Sequence, residues 1–94
     1  MSEALKGLHL NVAGVVQGVG FRWFVLRTAD RWAVKGYVKN LYDGSVDIYA
    51  EGDEITLKGF LEEVQLGPRN AHVSGVQFDW TNYQGNYKEF RIEL

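Results

Sequence analysis

Gly14-Val15-Val16-Gln17-Gly18-Val19-Gly20-Phe21-Arg22 is the stretch of this chain with the clearest capacity for chemistry. Its glycines let the backbone curl and approach a ligand closely, because no Cβ stands in the way. The amide N–H groups of such a turn, together with those of a following helical turn, can converge on an anion. Arg22 adds a planar, permanently charged donor fork suited to phosphate. An anion cradle with a built-in cation is one reading of the run, and a tight turn ahead of a helix is the other. The position of Arg22 bears on the choice. A cation in the first helical turn is opposed by the helix dipole, and an anion nearby would offset that opposition. Nucleotide binding has little support: no Gly-Lys-Ser/Thr ends the loop, and the third glycine of a dinucleotide fingerprint is missing.

The elements around the loop follow from periodicity. Leu8, Leu10 and Val12 alternate with His9 and Asn11, the pattern of a half-buried strand. Phe21, Phe24, Val25, Thr28, Ala29 and Trp32 fall on one helical stripe. Val34 to Leu41 and Ser45 to Glu51 read as strands joined by Tyr42-Asp43-Gly44, where Asp-Gly marks a hairpin. Asp53 caps a second helix whose buried stripe is Leu57, Phe60, Leu61 and Val64, and Gly67-Pro68 ends it. A fourth strand is expected around His72 to Trp80, a polar loop over Thr81 to Asn86, and a last strand alternating Phe90, Ile92 and Leu94. The order is βαββαβ with a short extra C-terminal strand. It points to an α+β sandwich with two helices on one face of an antiparallel sheet. The second helix satisfies its own N-terminal amides with Asp53. The first has no Ser, Thr, Asp or Asn in capping position, so its donors need another acceptor.

Ninety-four residues fit a single domain, taken as 1–94. With no cysteine, disulfides, thiolate metal sites and thiol catalysis drop out together. No apolar stretch approaches the roughly 20 residues of a membrane span. Met1-Ser2-Glu3-Ala4-Leu5-Lys6-Gly7 has neither the basic head nor the apolar core of a signal peptide. A soluble, cytoplasmic protein without membrane contact is the expectation. The formal charge of −2 counts against nucleic acid as a partner, since a binder usually carries a basic surplus.

The run from Gly14 to Arg22 closely resembles the signature loop of the acylphosphatase family. Gly36-Tyr37-Val38-Lys39-Asn40-Leu41-Tyr42-Asp43-Gly44-Ser45-Val46 is similar to that family's other signature, which ends a strand in asparagine. Ala50-Glu51-Gly52 and Gly67-Pro68 also sit where the family tends to have them, so the likeness spans nearly the whole chain. The resemblance implies a ferredoxin-like sandwich and hydrolysis of the carboxyl–phosphate bond, giving a carboxylate and inorganic phosphate. It makes Arg22 the catalytic arginine and Asn40 the water-positioning asparagine. The backbone N–H groups of Gln17, Gly18, Val19, Gly20 and Phe21 would hold the phosphoryl oxygens. No cofactor and no metal are implied. Departures from the family pattern are modest: Trp32-Ala33 stands where Leu-Gly is common, and Tyr37 where tryptophan is common.

The chemistry is consistent with these residue types. Phosphoryl transfer to water passes through a loose transition state in which positioning and electrostatics dominate. An acyl phosphate departs as a weakly basic carboxylate and needs no strong acid. Asn40 cannot act as a base at neutral pH, but its amide can orient a water.

Other candidates read more plainly. His9 and His72 are expected to be exposed or edge-strand residues, Asp43 a turn residue, and Ser45 and Ser74 hydroxyls without a base partner. Trp23 and Leu26 fall off the first helix's stripe and could border the loop, cover a sheet edge or form a contact patch. Two other functions compete. A non-catalytic anion-binding regulatory module would bind phosphate without hydrolysing it. An RNA-binding sheet shares the strand order, but the strand 46–51 lacks paired aromatics for stacking bases. Small-molecule acyl phosphate as substrate, inorganic phosphate as product, and a monomer are the expectations on partners.

Overall fold

The computed structural model describes residues 4–94, so the reading of Met1, Ser2 and Glu3 lies outside the described residues. The elements are β1 (Leu5–Val15), α1 (Phe21–Trp32), β2 (Lys35–Asn40), β3 (Val46–Asp53), α2 (Glu54–Leu66), β4 (His72–Asn82) and β5 (Phe90–Glu93). They build one five-stranded sheet in the order β4-β1-β3-β2-β5, with the helices packed on one face. Alternation along the strands decides that face. Leu8, Leu10 and Val12 of β1, Val38 of β2, and Val46, Ile48 and Ala50 of β3 are all buried. They meet Phe21, Val25 and Ala29 from α1 and Leu57, Phe60, Leu61 and Val64 from α2 in a single apolar cluster. Each such fully buried aliphatic or aromatic side chain contributes about 1.5–3 kcal/mol. The α+β sandwich and its helix stripes are therefore as the sequence predicts.

The sheet departs from that expectation in one pairing. β5 runs parallel to β2, with Gly36 opposite Phe90 and Val38 opposite Ile92, while the other pairs are antiparallel. The direction follows from the connection. β4 finishes beside the start of β1, where Asn82 pairs with Lys6. The segment 83–89 then crosses the helix-free face at that same end, so β5 sets off in the direction of β2. The fourth strand is also longer than expected, because Thr81 and Asn82 continue its pairing to Gly7 and Lys6.

The crossing segment is held by the sheet beneath it. Glu51, buried on β3, accepts hydrogen bonds from the backbone N–H of Gln84 at 2.8 Å and Gly85 at 3.2 Å, and from the Tyr49 hydroxyl at 2.6 Å. Tyr87 packs on Tyr49 and Tyr37, with ring centroids 5.7 and 6.1 Å apart. Burial, and then the bond to Glu51, push the Tyr49 hydroxyl up to about 12, so it stays a neutral donor. The open face thus carries a stacked aromatic pair, Tyr37 and Tyr49, formed across strands. A reading of β3 alone misses it. Tyr87 covers the pair and two carboxylates engage its hydroxyls, which removes the surface an RNA base would stack on. His9 differs from expectation as well. It lies on β1, flanked by two strands, and its Nε2 sits 2.7 Å from Asp47 Oδ1.

Candidate active site

At the opposite end of the sheet, β1 and β2 finish and β3 begins, and the signature residues gather there. A bulge at Ala13/Gly14 shifts the register of β1 against β4, and the pairing then continues to Val15. Gly14 has φ 131°, and a Cβ there would lie 2.0 Å from the His72 carbonyl oxygen, so only glycine allows the strand to pass so close to β4. Val16 then turns into the core, 2% exposed, and pins the base of the loop. Gly18 and Gly20 have φ 76° and 77°. Open space lies beside both α-carbons, so glycine is needed there for the left-handed backbone rather than for room. Left-handed positions of this kind turn successive N–H groups to one side and make an anion-binding concavity.

Gly20 is the N-cap of α1, with no side-chain cap and no acidic residue in the first turn. The first amides of the helix therefore have no internal acceptor. Arg22 follows in that turn, half-buried and without an ion pair among the described residues. A hollow of about 120 Å³ is bounded by Gly18, Gly20, Phe21 and Arg22, with Val16 at its base, Trp23 at its rim and Asn40 across from the loop.

Asn40 is the last residue of β2, in register with Val46. Its Oδ1 is buried and has no hydrogen-bond partner among the described residues. An unpaired buried acceptor costs about 1–3 kcal/mol, a cost that a bound water, ion or ligand would offset. The turn after it is tightly bonded: Leu41 N–H to the Ser45 carbonyl at 2.9 Å, and Gly44 N–H to the Leu41 carbonyl at 3.2 Å. Asp43 accepts from both the N–H and the hydroxyl of Ser45, at 2.9 and 2.5 Å, and these bonds hold its carboxyl below the usual carboxylate range. Ser45 thus has a carboxylate partner that sequence reasoning did not find. That carboxylate is made a poorer base by the same bonds, and the hydroxyl also accepts from Asn11 Nδ2 at 3.0 Å. It is a turn brace. Gln17 ties this turn to the loop: its Nε2 donates to the carbonyls of Leu41 and Ser45, each at 2.8 Å.

Two signature segments, folded around one hollow, give a basis for comparison with known proteins. The family model "Acylphosphatase" matches residues 8–92. The chain is 51% identical over 89 residues to the acylphosphatase of Thermotoga maritima, covering 95% of this chain and 98% of that one. It is 46% identical over 87 residues to the acylphosphatase of Caldanaerobacter subterraneus, covering 93% and 97%. The crystal structure of acylphosphatase from Bacillus subtilis superposes with a TM-score of 0.91 at 38% identity, over 96% of this chain and 99% of that one.

The chain belongs to the acylphosphatase family. Of the site residues expected for an acylphosphatase, Gly18, Gly20, Phe21, Arg22 and Asn40 border the hollow together. The side chains of Gln17 and Val19 turn elsewhere, that of Gln17 to the β2–β3 turn and that of Val19 against the core. The sequence reading missed the anchoring role of Val16 and the side-chain role of Gln17. It left Trp23 open between three roles. The ring lies 61% exposed beside the hollow, whereas Leu26 packs on the core. Among the described residues no group of three or more His, Asp or Glu side chains is arranged to hold a metal ion, and no helix is long and apolar enough to cross a membrane.

Proposed function

We propose that this acylphosphatase cleaves the carboxyl–phosphate bond of small acyl phosphates by direct attack of water. The phosphoryl group enters the hollow, its oxygens accepting from the N–H groups of residues 17–21 and from the Arg22 guanidinium. Asn40 holds the attacking water, with its buried Oδ1 as acceptor. Oxygen of the water bonds to phosphorus as the bond from phosphorus to the acyl oxygen breaks. The acyl group leaves as a carboxylate, and the water's proton passes to a phosphoryl oxygen, giving inorganic phosphate. Charge in this loose transition state spreads over the peripheral oxygens, where preorganised amides and a guanidinium stabilise it most.

One observation carries the reading. A buried Asn40 Oδ1 and an Arg22, neither partnered among the described residues, border the same hollow as an uncapped helix start. Each feature alone costs stability, and all three costs are offset by one bound phosphate with its water. The reading takes residues 1–94 as one domain acting as a cytoplasmic monomer, with acyl phosphate and inorganic phosphate as its partners.

The test is phosphate release from benzoyl phosphate in the presence of a chelator. Turnover by the wild type, reduced about 10²- to 10³-fold by Arg22→Ala, is the expected result, the size of losing one transition-state donor. Undiminished activity in Arg22→Ala and Asn40→Ala would overturn the assigned roles. Phosphate binding without turnover would make the protein an anion-binding module instead.

A further inference from the structure

Trp23 borders the hollow with its ring exposed, and the phosphoryl transfer described above makes no use of it. Its place follows from helix geometry. Phe21, Val25, Thr28 and Ala29 form the buried face of α1, which packs on β2 and β5. Trp23 lies two residues from both Phe21 and Val25, about 200° round the helix from either. It therefore stands on the face turned away from the sheet. Side chains of a helix lean towards its N-terminus, which carries the indole towards the loop at Gly20. Asn40, by contrast, ends β2, in the sheet on which α1 packs. The hollow at the start of α1 thus has Asn40 on its sheet side and Trp23 on its outer side.

That opposition matters because the attacking and leaving oxygens of a phosphoryl transfer lie roughly in line. With the water held at Asn40, the acyl oxygen departs on the far side of phosphorus, which is the side of the indole. The hollow's volume of about 120 Å³ is well below the ~300–1,000 Å³ of sites that enclose a whole small molecule. The acyl group therefore stays at the mouth. Of the side chains bordering the hollow, Val16 and Phe21 are buried, and Arg22 and Asn40 serve the phosphoryl group and the water. Trp23 is the one that offers exposed apolar surface to a group at the mouth.

Resting on the hydrolase reading above, we infer that Trp23 is the contact for the acyl group and makes the site selective for acyl phosphates with a flat, apolar body beside the carboxyl carbon. An aromatic acyl group packs against the indole, and an acetyl group is too small to cover it.

The experiment compares benzoyl phosphate with acetyl phosphate, and the readout is the ratio of their kcat/KM values. In Trp23→Ala the ratio is expected to fall about three- to tenfold, the scale of an aromatic pair. Trp23→Phe keeps a ring and is expected to hold the ratio within about twofold of wild type. The fall should come through KM more than kcat, because the contact is made in the ground state as well as the transition state. A loss confined to the phosphoryl site cancels in the ratio, so a merely structural role would not move it. Inhibition reads the same contact without turnover. Phenacylphosphonate, in which a methylene replaces the bridging oxygen of benzoyl phosphate, should lose its advantage over acetonylphosphonate in Trp23→Ala. A benzoyl-to-acetyl ratio in Trp23→Ala within about twofold of wild type overturns the inference. So does a ratio that moves with Lys39→Met and not with Trp23→Ala, which would put the acyl group on the Asn40 side. If the wild type releases phosphate from neither substrate, the hydrolase reading itself fails and takes this inference with it.

Discussion

Gln17 Nε2 donates to the Ser45 carbonyl oxygen at 2.8 Å, across 28 positions of sequence. The same amide donates to the Leu41 carbonyl at 2.8 Å. One side chain therefore fixes the spacing between the loop ahead of Arg22 and the turn behind Asn40. Neither carbonyl depends on Gln17 alone, since each also accepts a backbone N–H within the turn. The amide is a positioning device more than a structural necessity.

Gln17→Ala is therefore expected to separate the two halves of the site while leaving the fold intact. Each bond lost costs about 1 kcal/mol, so urea unfolding should report a destabilisation of about 1–2 kcal/mol. Turnover should fall more steeply, by about tenfold to a hundredfold, because small misplacements of a water and a phosphoryl group are costly. The loss should appear in kcat more than in KM. A variant equally destabilised but with wild-type kcat would show that the staple does not position the site.

Asn40→Ala is expected to move activity and stability in opposite directions. Its Oδ1 is a buried acceptor without a partner among the described residues, so its removal relieves a penalty of about 1–3 kcal/mol, partly offset by lost packing. Urea midpoints should be unchanged or raised, while phosphate release falls about 10²- to 10³-fold. A destabilised Asn40→Ala would mean that the amide is a structural brace.

What the chain reveals before folding is what depends on near neighbours. The Asp53 cap is local, and Asp53 Oδ1 accepts from Thr56 N–H at 2.9 Å as its position before a helical stripe implies. The uncapped start at Gly20 was legible for the same reason, and the two signatures singled out Arg22 and Asn40, which border one hollow. The parallel pairing of β5 was not, because it depends on where the segment 83–89 crosses. That path is fixed by Glu51 holding amides 33 and 34 positions away. The Gln17 staple was hidden because its acceptors are backbone carbonyls, which every residue carries. The Tyr37–Tyr49 pair was hidden because its members lie on different strands, joined only by register.

The departure at Ala33 has a measurable consequence. α1 ends there with φ 56° and ψ 36°, the one left-handed non-glycine position among the described residues. The conformation lets its N–H and that of Val34 reach carbonyls of the last turn. For a residue with a Cβ it costs about 1–2 kcal/mol, against about 0.4–1 kcal/mol of unfolded-state entropy that glycine would add. Ala33→Gly should raise stability by up to about 1 kcal/mol. That corresponds to a Tm increase of up to about 4–8 °C for a domain of this size, with kcat unchanged. A lower Tm would show that Ala33 is not strained.

The link between the two helices should be sensitive to acid. Glu63 on α2 accepts from Arg31 Nη2 at 2.7 Å and from Trp32 Nε1 at 2.6 Å, both at the end of α1. The Arg31 guanidinium first, and then the Trp32 indole, hold its carboxyl below the ordinary 4.5. A carboxyl whose pKa is lower in the folded state stabilises that state above its unfolded pKa and ceases to do so as pH falls through the folded value. Glu63→Gln keeps an acceptor but not the charge, so it mimics the protonated form. The Tm gap between wild type and Glu63→Gln should be full at neutral pH, begin to narrow below about pH 4.5, and close as Glu63 takes up its proton. Thermal unfolding followed by circular dichroism across that range measures the gap. A gap that stays constant well below that pH would mean that Glu63 acts through shape alone, with its charge contributing nothing to the union of the helices.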